Sequence, residues 1–142
     1  MPNYDVLLVE DHTIVRSSLR AMLERTGEFR VVGEVDHGAD AIRFCNEHSV
    51  PDLVLMDLSM PVLNGVEATA ELTRHFPSAR VVVLSAYDEE KSIVEVIKAG
   101  ARGYLLKRAG IADLIEALRA VAGGGSYLSP QISSALFHRL QN

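Results

Sequence analysis

Short apolar runs alternate with amphipathic stretches along almost the whole chain. Five short runs predict strands, and two of them, residues 5–9 and 53–56, are apolar runs typical of strands buried on both faces of a sheet. The five predicted strands are residues 5–9, 29–35, 53–56, 80–84 and 103–106. After each strand, apolar residues recur every three or four positions, which predicts a helix with one buried face.

The five predicted helices have ordinary end signals. Gly27 and Gly100 are suitable residues for ending the first and fourth helices, and Pro77 follows the third. The first helix opens at residue 12 or 13, and its apolar face contains Val15, Leu19, Met22 and Leu23. The other predicted helices are residues 38–48, 66–76, 89–99 and 111–122.

Strands and helices therefore alternate five times, with short connections and no hairpin signal between strands. This alternation predicts an α/β fold, a doubly wound (βα)5 unit with a five-stranded parallel sheet and helices on both faces. Right-handed crossovers place the carboxyl ends of all five strands at one edge of the sheet. Ligands bind at that edge in open sheets of this kind.

The last twenty residues depart from the alternation. A triple glycine at 123–125 predicts a flexible joint. Ser129 and Pro130 then suit an N-cap and a first helical position, and a short apolar stripe follows, formed by Ile132, Leu136, Phe137 and Leu140. The stripe predicts an extra terminal helix over residues 130–140, which could dock on the domain, pair with another chain or begin a linker.

Composition narrows the class of protein. The 142 residues suit one globular domain, with 48% hydrophobic and 23% charged residues. A net charge of −5 argues against nucleic-acid binding by this chain itself and suits binding of a cation. Cys45 is the only cysteine, which excludes an internal disulfide and favours a reducing, cytoplasmic setting. No signal peptide or apolar run of about 20 residues is present, so no membrane association is expected.

Polar side chains follow four of the five predicted strands. Glu10 and Asp11 follow the first strand, Asp57 the third, Ser85 the fourth and Lys107 the fifth. Any one of them could be an ordinary solvated strand end. Because the strand ends share one edge of the sheet, the group together predicts a site suited to phosphorylation of an aspartate.

A carboxylate is a weak nucleophile toward phosphorus unless the charge on the phosphoryl group is neutralised. A Mg²⁺ ion held by one or two carboxylates provides that neutralisation. Asp11 and Asp57 are the expected direct ligands. Glu10 would act through water, and the backbone carbonyl of Ser59 would complete the protein's share of the ligands.

Further groups suit the phosphoryl oxygens themselves. Lys107 offers a compact cation to one oxygen, and the Ser85 hydroxyl offers a hydrogen bond to another. Few groups suffice, because this transition state depends mainly on positioning and electrostatics. Tyr104 is either a half-buried strand residue or a ring that turns inward when Ser85 moves toward a phosphoryl group. His12 is expected to be an exposed residue that opens a helix, rather than a general base or metal ligand.

Four sequence blocks, in order and at strand ends, resemble the response-regulator receiver domain. The blocks are E-D-H at 10–12, D-L-S-M-P-V-L-N-G at 57–65, L-S-A at 84–86 and G-Y-L-L-K at 103–107. The resemblance covers residues 1 to 122 and implies a flavodoxin-like fold.

The resemblance also implies roles for individual residues. Asp57 matches the aspartate that accepts a phosphoryl group from a sensor histidine kinase, and Glu10 and Asp11 match the acidic residues that serve Mg²⁺. Tyr87 matches a position that tunes how fast water removes the phosphoryl group, and we expect it to shield the site partly. The positions that form the conformational switch match Ser85, Tyr104 and Lys107.

Within this family, G-Y-L-L-K-R-A and G-G-G-S-Y-L-S-P resemble the NarL/FixJ subfamily, whose members carry a DNA-binding helix-turn-helix of the LuxR type. Arg108 stands where many receivers have proline, which is a departure that this subfamily shares. Residues 1–122 are expected to form the receiver domain, and 123–142 a Gly-rich joint and linker helix. Because these last residues are too few for a helix-turn-helix, regulation of transcription and binding of DNA would require an output domain outside this chain.

Two other functions are compatible with parts of the pattern. The chain could be a stand-alone receiver, acting as a phosphorelay carrier or a protein-docking switch, and a homodimer is possible. A phosphatase of the haloacid-dehalogenase type also uses an aspartate at a strand end, but it needs a second Asp two residues later, where this chain has Ser59. We therefore expect no enzyme activity beyond the domain's own phosphorylation and dephosphorylation.

Overall fold

The computed structural model describes residues 3–58, 65–85 and 90–141. Within these ranges six strands alternate with six helices. The strands are β1 Tyr4–Val9, β2 Phe29–Val35, β3 Leu53–Asp57, β4 Val81–Ser85, β5 Gly103–Leu106 and β6 Tyr127–Leu128. The helices are α1 Thr13–Arg25, α2 Gly38–Glu47, α3 Gly65–His75, α4 Glu90–Lys98, α5 Ile111–Ala122 and α6 Pro130–Gln141.

All five predicted strands are present, with ends shifted by at most one residue. Asp57 and Ser85 are the last residues of β3 and β4, whereas the sequence placed them just after those strands. Backbone pairing continues one residue further than the apolar runs do. The Leu58 amide donates to the Leu84 carbonyl at 3.0 Å, and the Lys107 amide donates to the Ser85 carbonyl at 2.7 Å. The two polar side chains are therefore held by a rigid sheet.

The sheet is parallel throughout, with the strand order β2-β1-β3-β4-β5-β6. From β1 the chain goes to β2 at one edge of the sheet. It then crosses to β3 on the other side of β1 and continues through β4, β5 and β6 to the opposite edge. The ends of β1 and β3 therefore lie on the two sides of the point where the strand order reverses. A crevice forms at such a point in doubly wound sheets, and ligands bind there.

Helices cover both faces of the sheet, and each face has its own apolar core. One core joins the sheet to α1 and α5 through Leu19, Leu23, Leu114, Leu118 and Val121. The other joins it to α2, α3, α4 and α6 through Ala41, Cys45, Leu72, Ile93, Val96 and Ile132. Side chains of β3 alternate between the two cores, as the two-residue period of a strand requires.

The prediction of a five-stranded sheet needs correction, because β6 adds a sixth strand beside β5. Gly103 pairs with Tyr127 and Tyr104 pairs with Leu128, both in parallel. Two residues are too few to produce the alternating pattern that predicts a strand. The strand forms because the chain returns along the sheet after α5.

The triple glycine produces this return, and it makes a hydrogen-bonded turn. The amides of Gly123, Gly124 and Gly125 donate to carbonyls in the last turns of α5. Gly124 has a φ of +96°, a conformation that side chains rarely adopt. The glycines thus end α5 and direct the chain into β6.

The terminal helix α6 docks on the domain, which was one of three outcomes that the sequence left open. Ile132 is fully buried in the core that includes α4, and Leu136 is partly buried against it. Phe137 and Leu140, predicted in the same apolar stripe, remain 64% and 76% exposed. Only the amino-terminal half of the predicted stripe therefore packs on the domain.

Two apolar residues near the starts of predicted helices are exposed. Val15 lies in the first turn of α1, and Ile111 is the first residue of α5. In the part of the chain that the structure describes, no helix combines the length and the apolar character that crossing a membrane requires.

The packing of α6 leads to a prediction about stability. We expect Ile132→Ala to lower the free energy of unfolding by about 2–4 kcal/mol, because it leaves a cavity in a closed core. Leu140→Ala, on the same helix, should change it by less than about 0.5 kcal/mol. Urea unfolding followed by circular dichroism measures both values, and equal values for the two variants would contradict the docking of α6.

Candidate functional site

Two carboxylates are buried side by side at the carboxyl edge of the sheet. Strands β1 and β3 are neighbours, with Val9 paired to Met56, so Glu10 and Asp57 follow at adjacent positions. Both residues are only 2% exposed. Asp11, the next residue after Glu10, is partly exposed and faces the same crevice. The structure thus brings together the three acidic side chains that the sequence assigned to one site.

Lys107 extends from the end of β5 toward these carboxylates. Its Nζ lies 3.0 Å from Asp57 Oδ2 and 3.9 Å from Glu10 Oε2. Isolated carboxylates are costly to bury, and a neighbouring ammonium group offsets much of that cost. One lysine cannot balance three carboxylates, so the crevice keeps an excess of negative charge.

The pKa of Glu10 reflects its burial beside another carboxylate. Burial raises the pKa of the Glu10 carboxyl above its ordinary value, and the nearby Asp57 carboxylate raises that pKa further. Hydrogen bonds from His12 and the charge of Lys107 oppose the rise. A bound cation would relieve the same repulsion, and single donor atoms of Glu10, Asp11, His12 and Asp57 lie within 4.8 Å of one another. The donor set therefore fits a divalent metal ion.

His12 occupies the N-cap position of α1, and its side chain is 69% exposed, as the sequence predicted. The ring nevertheless faces the acidic cluster instead of capping the helix. Nδ1 lies 3.0 Å from Glu10 Oε1 and 3.1 Å from Asp11 Oδ1. These carboxylates raise the pKa of the His12 imidazole, mainly through the hydrogen bond to Glu10.

Arg16, which the sequence reasoning missed, holds the loop that carries Glu10. Its guanidinium donates to the Glu10 carbonyl at 3.0 Å and also bonds to Asp36, beyond the end of β2. Arg16 lies near the positive end of the α1 dipole, where a basic residue is disfavoured. That mismatch is the sequence signal that could have identified it.

Ser85 and Tyr104 lie on one face of the sheet, on neighbouring strands. Both are fully buried, and Tyr104 belongs to the same core as Ile93 and Ile132. Asp57 has the strand parity of the opposite core, which contains Leu55. Ser85 follows Leu84, the strand partner of Asp57, and has the parity of the face that α4 and α6 cover. Two further predicted positions, Ser59 and Tyr87, lie outside the described residues.

Gly65 brings α3 close to the end of β3. A Cβ atom added at this position would lie 2.6 Å from Leu58 Cα and 3.1 Å from the Asp57 carbonyl oxygen. Both neighbours are backbone atoms, which cannot move aside as a flexible side chain can. The glycine that ends the motif at 57–65 therefore sets the position of the Asp57 backbone.

Comparison with known proteins identifies one family. A family model described as the response regulator receiver domain matches residues 6–119. The chain is 39% identical over 140 residues to the transcriptional regulatory protein DegU of Brevibacillus brevis, covering 96% of this chain and 59% of DegU. It is 40% identical over 131 residues to the response regulator GacA of Pseudomonas viridiflava, covering 92% of this chain and 61% of GacA.

A solved structure shares the whole fold. A two-component response regulator of the LuxR family from an Aurantimonas species superposes with a TM-score of 0.93 at 31% identity, covering 99% of each chain. The present chain spans about six-tenths of the length of the curated relatives that it matches.

The close approach at Gly65 can be tested by substitution. We expect Gly65→Ala to lower the free energy of unfolding by about 1–3 kcal/mol, because the added methyl group must displace backbone beside Asp57. Gly123→Ala is the control, because Gly123 has an ordinary φ of −77° and an added Cβ there meets no atom closer than 3.4 Å. Urea unfolding of both variants measures the difference, and a Gly65→Ala protein as stable as the control would contradict the assigned packing.

Proposed function

The chain belongs to the family of response-regulator receiver domains, and from that premise we propose that it accepts a phosphoryl group on Asp57 and changes conformation in response. The donor would be a phosphohistidine of a sensor kinase. The observation that carries the proposal is the convergence of Asp57, Glu10 and Asp11 with Lys107 at one edge of the sheet, with Lys107 Nζ 3.0 Å from Asp57.

The proposed transfer makes one bond and breaks one. A carboxylate oxygen of Asp57 bonds to phosphorus, while the bond between phosphorus and the kinase imidazole breaks and the released nitrogen takes up a proton. Asp57 ends a buried strand, so its carboxylate is held in position before the reaction. Lys107 stabilises negative charge on a phosphoryl oxygen, and the Ser85 hydroxyl donates to another.

The acidic cluster would hold Mg²⁺. Asp11 and Asp57 would be direct ligands, Glu10 would bind through water, and the backbone carbonyl of Ser59 remains a predicted ligand. Bound Mg²⁺ supplies positive charge to the phosphoryl oxygens during transfer. The excess of carboxylates over the single ammonium group of Lys107 supports this assignment.

The proposed switch begins at Ser85. A hydroxyl drawn toward a phosphoryl oxygen on Asp57 would leave the buried face that it shares with Tyr104. The space next to Tyr104 would then change, and with it the packing of Ile93 on α4 and Ile132 on α6. A free-energy difference of a few kcal/mol between two such arrangements is sufficient for a signalling switch.

The kinase would approach the open edge of the sheet beside α1. Ile14 and Val15 are exposed in the first turn of this helix, directly after the acidic cluster. Exposed apolar residues next to the acidic cluster around Asp57 suit a partner that must dock there and transfer a phosphoryl group.

The proposed output is control of transcription through a DNA-binding domain that follows the receiver. DegU is called a transcriptional regulatory protein, and it is considerably longer than this chain. The net charge of −5 gives the receiver itself little affinity for DNA. Regulation would therefore pass through the surface around α4 and α6, including any homodimer contacts made there.

The phosphoacceptor can be identified by intact mass. We expect incubation with acetyl phosphate and Mg²⁺ to add one phosphoryl group, and Asp57→Asn to abolish the adduct. Asp40→Asn, at an ion-paired position on α2, should keep the adduct and serves as the control. An adduct that persists in Asp57→Asn would overturn the assignment of the phosphoacceptor.

Substitution of Lys107 should affect metal binding and phosphoryl transfer in opposite directions. We expect Lys107→Ala to bind Mg²⁺ several-fold more tightly, because it removes a positive charge beside Asp57. Phosphorylation by acetyl phosphate should nevertheless be at least about tenfold slower, since the phosphoryl oxygen loses its cation.

Isothermal titration and timed mass spectra measure these two quantities. Lys98→Ala, which removes the same charge from the exposed end of α4, should change neither. Equal rates for Lys107→Ala and wild type would contradict the proposed role.

A further inference from the structure

The orientation of His12 is unusual for a residue at an N-cap position. Such side chains ordinarily accept a hydrogen bond from the first turn of their own helix, whereas His12 makes no side-chain cap. Its Nδ1 instead lies near one oxygen of Glu10 and one of Asp11, at 3.0 Å and 3.1 Å. The imidazole nitrogen is thus placed among the carboxylate oxygens of the acidic cluster.

These separations match those between ligands of one metal ion. An octahedral ion with ligands at about 2.1 Å separates neighbouring ligand atoms by about 3 Å and opposite ones by about 4.2 Å. Nδ1 and its two neighbouring oxygens have the shorter spacing. One donor atom from each of four residues, including Asp57, falls within 4.8 Å of the others. Asp11, Asp57 and His12 would therefore offer donor atoms to one ion, with Glu10 bound through water.

The nitrogen changes which ions the cluster prefers. Mg²⁺ prefers oxygen ligands and keeps several waters, so an imidazole adds little to its binding. Imidazole suits the late first-row divalent ions, whose affinity for nitrogen and oxygen ligands rises toward nickel and copper. A mixed set of one nitrogen and several oxygens therefore favours those metals.

We propose that His12 makes the acidic cluster a transition-metal site as well as a magnesium site, by supplying an imidazole ligand to Ni²⁺ and related divalent ions. The proposal rests on the proposed function, because both ions share Asp11 and Asp57. The exposed ring reaches the cluster from the solvent side, where it needs no rearrangement of β1 or β3. A bound transition metal would compete with Mg²⁺ for the Asp57 carboxylate.

The competing explanation is a structural hydrogen bond from His12 to Glu10. His12→Asn distinguishes the two, because asparagine is a good N-cap and can donate hydrogen bonds, but it has no imidazole nitrogen. His138→Asn is the matched control, since His138 is exposed on α6.

The experiment is isothermal titration of the chain, without a polyhistidine tag, with NiCl₂ and separately with MgCl₂. We expect His12→Asn to weaken Ni²⁺ binding by about tenfold or more and Mg²⁺ binding by less than about threefold. His138→Asn should match wild type with both ions. Excess Mg²⁺ should raise the apparent Kd for Ni²⁺ in wild type, as expected for a shared site. The visible spectrum of the Co²⁺ complex should also differ between wild type and His12→Asn.

Two results would overturn this inference while leaving the proposed function intact. One is equal Ni²⁺ affinity in wild type and His12→Asn, and the other is Ni²⁺ binding that Mg²⁺ does not displace, in a protein that binds Mg²⁺ and is phosphorylated on Asp57. A protein that binds neither ion and forms no phosphoryl adduct would overturn both.

Discussion

The ion pair between Lys107 and Asp57 is the interaction on which the site depends. It joins the ends of β5 and β3 across the intervening strand β4, so three strands must be in register for its 3.0 Å distance to exist. Two buried carboxylates at adjacent strand ends would otherwise repel each other in a medium that screens charge poorly. The sheet thus holds together a group of charges that is incomplete without an added cation, and the proposed chemistry follows from that incompleteness.

The residues proposed for phosphorylation and those proposed for the switch have side chains on opposite faces of the sheet. Asp57 and Lys107 lie at the acidic edge, with the strand parity of the core under α1 and α5, while Ser85 and Tyr104 belong to the face under α4 and α6. Neighbouring residues of β4 point to opposite faces, so Leu84 and Ser85 at its end lie on different sides of the sheet. The docking of α6 through Ile132 adds the amino-terminal half of that helix to the second face.

The strands and the site residues could be predicted because their signals are local. Apolar runs predicted five strands, and the polar residues after them predicted the cluster around Asp57. The strand β6 was missed because two residues carry no period, and it forms only by pairing with β5. The helix-dipole mismatch could single out Arg16 but not its partners, which depend on where the ends of β1 and β2 meet in space. The direction of the His12 ring depends on its side-chain rotamer, which the sequence pattern does not encode. The half-burial of the α6 stripe likewise depends on how α6 packs on the domain, which the helical period alone does not encode.

The two residues of β6 have a consequence for how the domain can be isolated. They occupy the outer side of β5, whose backbone donors and acceptors would otherwise face solvent as an open sheet edge. Open edges recruit strands from other molecules and lead to aggregation. A fragment cut at the end of the family match, residue 119, would lose this cover together with Ile132. The part of the chain that packs together therefore extends beyond the matched domain and includes β6 and α6.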